Sequence, residues 1–70
     1  MKMEPVESSN IRAIGHDPKT LTMRVEFKNG GTYEYANVPA HAHADFMSSP
    51  SKGQHLLRNI REHFHGRRIS

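Results

Sequence analysis

Between Thr20 and Val38 the polar and apolar positions alternate. Leu21, Met23, Val25 and Phe27 take every second place against Thr22, Arg24 and Glu26, the period of a strand with one buried face. Asn29-Gly30-Gly31 follows, and glycine supplies the positive φ that a tight hairpin turn needs. The return strand carries Tyr33 and Tyr35 on a single face. Which face depends on the loop. A three-residue loop, Lys28-Asn29-Gly30 closed by a glycine bulge, pairs odd residues with odd and puts both tyrosines in the core beside Val25 and Met23. A two-residue Asn29-Gly30 turn pairs odd with even, because a one-residue slip flips every side chain. The tyrosines would then flank Arg24 and Glu26 as an exposed platform for stacking bases. A domain this small can spare few aromatics from its interior, which favours the core arrangement.

Around the hairpin the pattern is less regular. Asn10–His16 reads as a first strand with poor alternation: Ile11 and Ala13 fall on one face and Ile14 on the other. Asp17-Pro18-Lys19-Thr20 is a turn, with proline fixing φ after an Asx-type residue. Residues 1–5 form a loose lead-in. Proline suits the first turn of a helix, so Pro39–Met47 is expected helical, with Ala42, His43, Phe46 and Met47 as its buried stripe. Ser51 is expected to cap a second helix, with Gln54 completing a capping box. That helix would bury Leu56, Leu57, Ile60 and Phe64, stop at Gly66, and leave residues 66–70 as a basic tail. The expected fold is α+β: one domain over residues 1–70, a three-stranded antiparallel meander followed by two helices packed on one face.

Composition narrows the chemistry. The chain has 70 residues and no cysteine, which removes disulfides, thiolate chemistry and Cys-based zinc sites. Its start has no apolar h-region, and no run approaches a membrane span, so a cytoplasmic setting is expected. Charge is concentrated. Residues 1–50 carry five Lys/Arg against six Asp/Glu, a net of −1, whereas residues 51–70 carry five against one, a net of +4. A basic segment of that kind calls for an anionic partner.

Two groups of basic residues are candidates. On an ideal helix Gln54, Arg58, Arg61 and His65 share the face opposite the apolar stripe, with Lys52, Arg67 and Arg68 extending it. Guanidinium forks suit phosphate oxygens; the alternative is an ordinary solvated face with Arg58 paired to Glu62. Four phosphate contacts to a single strand would weaken binding about 50-fold between roughly 50 and 200 mM salt. Ser51-Lys52-Gly53 opens the helix, where free N–H groups favour an anion, although a capping box with a sterically required glycine is the stronger explanation.

The chain has six histidines. His41 with Asp45, and His55, Asn59 and His63 in an i,i+4 row, are the nearest approach to metal-ligand spacing, but neither set makes a recognisable site, so no metal or cofactor is expected. No serine stands in a nucleophile elbow, and Arg24, Glu26 and Glu34 are explained by cross-strand pairing. A non-catalytic domain is expected.

Several short stretches together resemble one family. They are Ser8-Ser9-Asn10-Ile11, Ile14-Gly15-His16-Asp17, Val25-Glu26-Phe27 with Asn29-Gly30, Tyr33-Glu34-Tyr35, Val38-Pro39, Ser51-Lys52-Gly53, Ile60-Arg61 and Arg67-Arg68-Ile69. In order and spacing the chain resembles the KTSC family over about residues 6–69. Those are small domains found alone in bacteria and phages and at the C-terminus of some lysyl-tRNA synthetases. His16, His43 and His55 stand where the family has an aromatic, usually tyrosine, and Leu57 where asparagine is common. The synthetase association implies RNA binding. The expected function is therefore a nucleic-acid-binding module, RNA in preference to DNA, acting through Lys52, Gly53, Arg58, Arg61, Arg67 and Arg68 with Tyr33 and Tyr35. The alternative is a protein-interaction module, of phage origin, that docks its basic face on an acidic partner.

Overall fold

A computed structural model describes residues 1–70. Five strands, β1 (Met3–Pro5), β2 (Ile11–Asp17), β3 (Thr22–Phe27), β4 (Thr32–Tyr35) and β5 (Gly66–Arg68), form a single sheet. They lie antiparallel in the order β1-β2-β3-β4-β5. Helix α1 (Ala40–Ser48) and helix α2 (Lys52–His55), which runs on as a π-helical turn over Leu56–Ile60, are inserted between β4 and β5. The sheet thus has five strands where three were expected. The lead-in contains β1, and the basic tail contains β5.

The hairpin settles the tyrosine question. Met23 pairs with Tyr35, Val25 with Tyr33 and Glu26 with Thr32, so odd residues face odd. Gly30 N–H donates to the Phe27 carbonyl at 3.0 Å, Phe27 N–H donates to the Gly31 carbonyl at 2.8 Å, and Gly30 has φ +100°. This is the three-residue loop with its glycine in the left-handed region. Tyr35 is 4 % exposed and belongs to the core, while Tyr33 is only half-buried beside it. The exposed platform does not form. Leu21, however, leaves the alternating set: its φ is +58° and its side chain is exposed.

A bulge explains the poor alternation of β2. Ile11 pairs with Phe27 but Ala13 with Glu26, so one extra residue is accommodated at Arg12. The bulge re-aims the strand, and Ile11 and Ile14 both become fully buried on the inner face. They pack with Met23, Val25, Tyr35 and Val38 of the sheet side and with Phe46, Leu56 and Ile60 of the helices. Both helices therefore cover the same face. On the opposite face Arg24 bonds Glu34 at 2.6 Å, and Arg67 approaches the other oxygen of Glu34 at 3.9 Å. This is the expected cross-strand pairing for Arg24 and Glu34, whereas Glu26 faces Thr32.

Helix α1 buries Phe46 completely, with Ala42 and Met47 packed against the core. The second helix departs from expectation. Ser51 is its N-cap but makes no side-chain cap bond, so the capping box does not form. Arg61 N–H reaches back five residues to the Leu56 carbonyl at 2.8 Å. The wide turn keeps Leu56 and Ile60 inside and leaves Leu57 52 % exposed. Regular helix ends at Ile60, well before Gly66. No helix is long and apolar enough to cross a membrane.

Candidate nucleic-acid interface

The inner face of the sheet is not fully covered. Between its β3–β5 corner and the second helix lies a cleft of about 290 Å³. The sheet contributes Phe27, Tyr33, Tyr35 and Arg68 to its walls, and the helix contributes Gly53, Leu56, Leu57 and Arg61. Asn10, Asn29 and Gly31 close it from the loops. Phe27 and Tyr33 meet edge to face, with centroids 5.7 Å apart and planes at 90°. The volume lies near the lower end of ordinary small-molecule pockets, roughly 300–1,000 Å³. It suits one flat group.

Register aims the arginines. Arg68 pairs with Tyr33, and Arg67 with Glu34, and neighbours along a strand point to opposite faces. Arg68 therefore turns into the cleft, where a Cβ built on Gly31 would lie 3.9 Å from its guanidinium carbon. Its Nε donates to the Ser70 carbonyl at 2.9 Å, leaving the terminal nitrogens free. Arg61 has no carboxylate partner, since Glu34 takes the two ion pairs of the chain. Burial pushes the Tyr35 phenol above its ordinary value; the nearby Arg61 guanidinium draws it part of the way back, and Tyr33 adds to the rise. The phenol thus keeps its proton at neutral pH.

Of the expected binding residues, the fold brings Tyr33, Tyr35, Gly53, Arg61 and Arg68 together. It separates the others. Lys52 folds back so that its ammonium donates to the Ser49 carbonyl. Arg67 lies on the outer face against Glu34. Arg58 is exposed outside the cleft and is not paired with Glu62. The continuous basic stripe does not exist, because the π-helical turn puts Arg61 with Leu57 instead of Arg58. A Cβ on Gly53 would come 3.3 Å from Asn10 Oδ1, so that glycine lets the helix approach the β1–β2 loop. Phe27, Asn10 and Leu57 are wall residues that the sequence pattern does not single out, and Asn29, a turn former by sequence, also lines the cleft.

The histidines at aromatic positions keep the ring role. His16 and His43 stack at 4.8 Å with planes 12° apart, and His55 stacks on Phe46 at 5.3 Å and 9°. His16 Nε2 lies 2.7 Å from the Val38 carbonyl, to which it donates. His41, Asp45, His55, Asn59 and His63 border a shared groove, but no three acidic or histidine side chains converge as metal ligands.

His43 has a consequence for stability. Its Nε2 is buried without a hydrogen-bond partner. Burial lowers its pKa from the usual 6.5, His16 lowers it further, and Glu4 opposes both. A base with a depressed folded-state pKa binds fewer protons folded than unfolded. Its contribution is intact above pH 6.5 and is lost as pH falls from there towards the lowered folded value. The melting temperature should drop on acidification through this window, and His43→Phe, which keeps a ring but cannot titrate, should flatten the drop. An unchanged pH profile in that variant would remove His43 as the cause.

A small antiparallel sheet with two helices on one face, a Tyr-x-Tyr strand and an arginine-bearing edge strand define a small α+β domain. The KTSC domain model matches residues 7–64, and the chain belongs to the KTSC family. It is 40 % identical to a KTSC domain protein from Yersinia pestis of known crystal structure, with TM-score 0.93 over 99 % of this chain and 97 % of that one. It is 38 % identical over 64 residues to a lysine–tRNA ligase of Nostoc punctiforme, covering 91 % of this chain but 11 % of the ligase. A small protein of Tsukamurella paurometabola is 36 % identical over 62 residues, covering 89 % of this chain and 92 % of that protein.

Proposed function

We propose that the domain is a non-catalytic module that binds single-stranded nucleic acid, RNA in preference to DNA, through the cleft. The observation that carries this is the combination of an aromatic wall with two guanidiniums, neither paired with an Asp or Glu side chain, at one small opening. A base laid on Tyr33 or Phe27 gains stacking of about 1–3 kcal/mol, and Arg61 and Arg68 suit the flanking phosphates. The preference for RNA is supported by the likeness to a lysine–tRNA ligase, and the proposed setting is the cytoplasm.

The test is fluorescence anisotropy of labelled single-stranded RNA, single-stranded DNA and duplex in a salt series. Only two arginines now face the ligand, in place of the four expected from an unbroken stripe. Two contacts predict a loss of roughly sevenfold between about 50 and 200 mM salt, from a slope of about −0.7 per contact. The Arg61→Ala/Arg68→Ala protein should lose most binding and most of the salt slope, while Arg58→Ala should change neither. Binding that ignores salt, or that survives the double substitution, would exclude the cleft. Failure of every oligonucleotide to bind at low salt would direct attention to an acidic protein partner.

A further inference from the structure

The polar groups of the cleft are almost all donors, and this limits what it can read. Asn29 Oδ1 accepts the Gly31 N–H at 3.0 Å. A backbone N–H can only donate, so the orientation of that amide is fixed, with one lone pair of its oxygen used and its NH2 group wholly free. Asn10 is fixed by a second route. The Ser8 hydroxyl accepts the N–H groups of Asn10 and Ile11, at 3.4 and 3.2 Å. Its own proton is left to donate to Asn10 Oδ1 at 3.1 Å, so Asn10 also offers its NH2 group.

Backbone acceptors nearby are used as well. The Asn10 carbonyl takes the Lys28 N–H, the Gly31 carbonyl takes that of Phe27, and the Leu56 carbonyl takes that of Arg61. Arg61 and Arg68 have no acceptor atoms. No carboxylate lines the cleft. Among its side chains the tyrosine hydroxyls can accept, and each asparagine oxygen keeps one lone pair beside the bond that fixes it, so free donors outnumber free acceptors.

We infer that the cleft prefers guanine, whose N7 and O6 form an edge of two adjacent acceptors. Adenine offers N7 beside an amino donor, cytosine offers an amino donor, and uracil a single carbonyl on the same side. An unpaired amino hydrogen facing a wall of donors is left without an acceptor and loses its hydrogen bond to water. A guanine stacked on Tyr33 would instead place both acceptors against the amide and guanidinium donors. The inference rests on the nucleic-acid reading and adds a base preference to it.

The probe is a short oligouridine RNA carrying one central guanosine, adenosine or 7-deazaguanosine. Backbone charge is the same in all three, so the ratio of affinities reports the base alone. The guanosine strand should bind roughly tenfold tighter than the adenosine strand, as one two-point base contact allows. The 7-deaza strand, which lacks the N7 acceptor, should lose most of that advantage. Asn10→Asp and Asn29→Asp keep the oxygen that holds each loop but exchange the free donor for an acceptor. In both variants the guanosine-to-adenosine ratio should shrink, whatever the added charge does to affinity as a whole. Equal binding of guanosine and adenosine strands overturns the base preference and leaves the nucleic-acid reading standing. Failure of all three strands to bind at low salt overturns both.

Discussion

Replacing Phe46 by alanine should remove a large part of the chain's stability at room temperature and neutral pH. Phe46 is fully buried, packs where α1 meets the sheet, and carries the stacked His55 ring of the second helix at 5.3 Å. Truncating a buried phenylalanine costs about 3–5 kcal/mol, the transfer term plus the cavity it leaves. A chain of this length has about 3.5–10 kcal/mol of total stability, from roughly 0.05–0.15 kcal/mol per residue. At the lower end of that range the loss removes the whole margin. No disulfide is present to restrain the unfolded state. Urea denaturation followed by far-ultraviolet circular dichroism would show the native baseline shortened or absent, whereas Phe46→Leu should keep a measurable transition. A Phe46→Ala midpoint close to that of the parent would mean that the helices are held to the sheet by something other than this contact.

The features that were legible in the sequence share one property: their side chains carry the pattern. The β3–β4 hairpin shows its inner face through Met23, Val25, Tyr33 and Tyr35, and its turn through Asn29-Gly30-Gly31. Phe46, Leu56 and Ile60 stand at helical spacing and do fill the core. The hidden features are backbone events. Strands β1 and β5 have three residues each, too short for a period to register, and β5 is exposed throughout. The bulge at Arg12 puts Ile11 and Ile14, three apart, on one face of a strand, which strict alternation forbids. The π-helical turn rephases the second helix without altering its composition.

The same distinction governs the site. Counting charge treats Arg67 and Arg68 as one basic tail, but strand geometry sends Arg67 to Glu34 and Arg68 to the cleft. Tyr33 and Tyr35 were correctly linked to the core face. Their nearness to Arg61 depends on the π-helical turn. The donor character of Asn10 and Asn29 is further from the sequence still, because it follows from what Ser8 and Gly31 do with the amide oxygens.

Gly66→Val should release strand β5 and weaken binding in one step. Gly66 pairs with Tyr35, and a Cβ there would come within 3.0 Å of the Tyr35 ring. The ring is 4 % exposed and packed in the core, whereas β5 is exposed throughout, so the edge strand is expected to yield first. Overpacking of this kind costs about 1–3 kcal/mol. Intrinsic propensity argues for the opposite sign, since valine favours strands and glycine weakens them. Here the steric effect is the larger. Release of β5 breaks the bonds of Thr32 and Ile69, whose N–H groups donate to the Ser70 and Thr32 carbonyls at 3.1 and 2.9 Å. Their amide hydrogen exchange should accelerate ahead of global unfolding. Arg68 leaves the cleft with the strand, so affinity for single-stranded RNA should fall to the level of Arg68→Ala. A smaller residue at position 35 makes room: in a double-mutant cycle with Tyr35→Ala the combined loss should be less than the sum of the two. An unchanged urea midpoint and unchanged affinity in Gly66→Val would show that the tyrosine ring can move aside, and that β5 is not what holds Arg68 over the cleft.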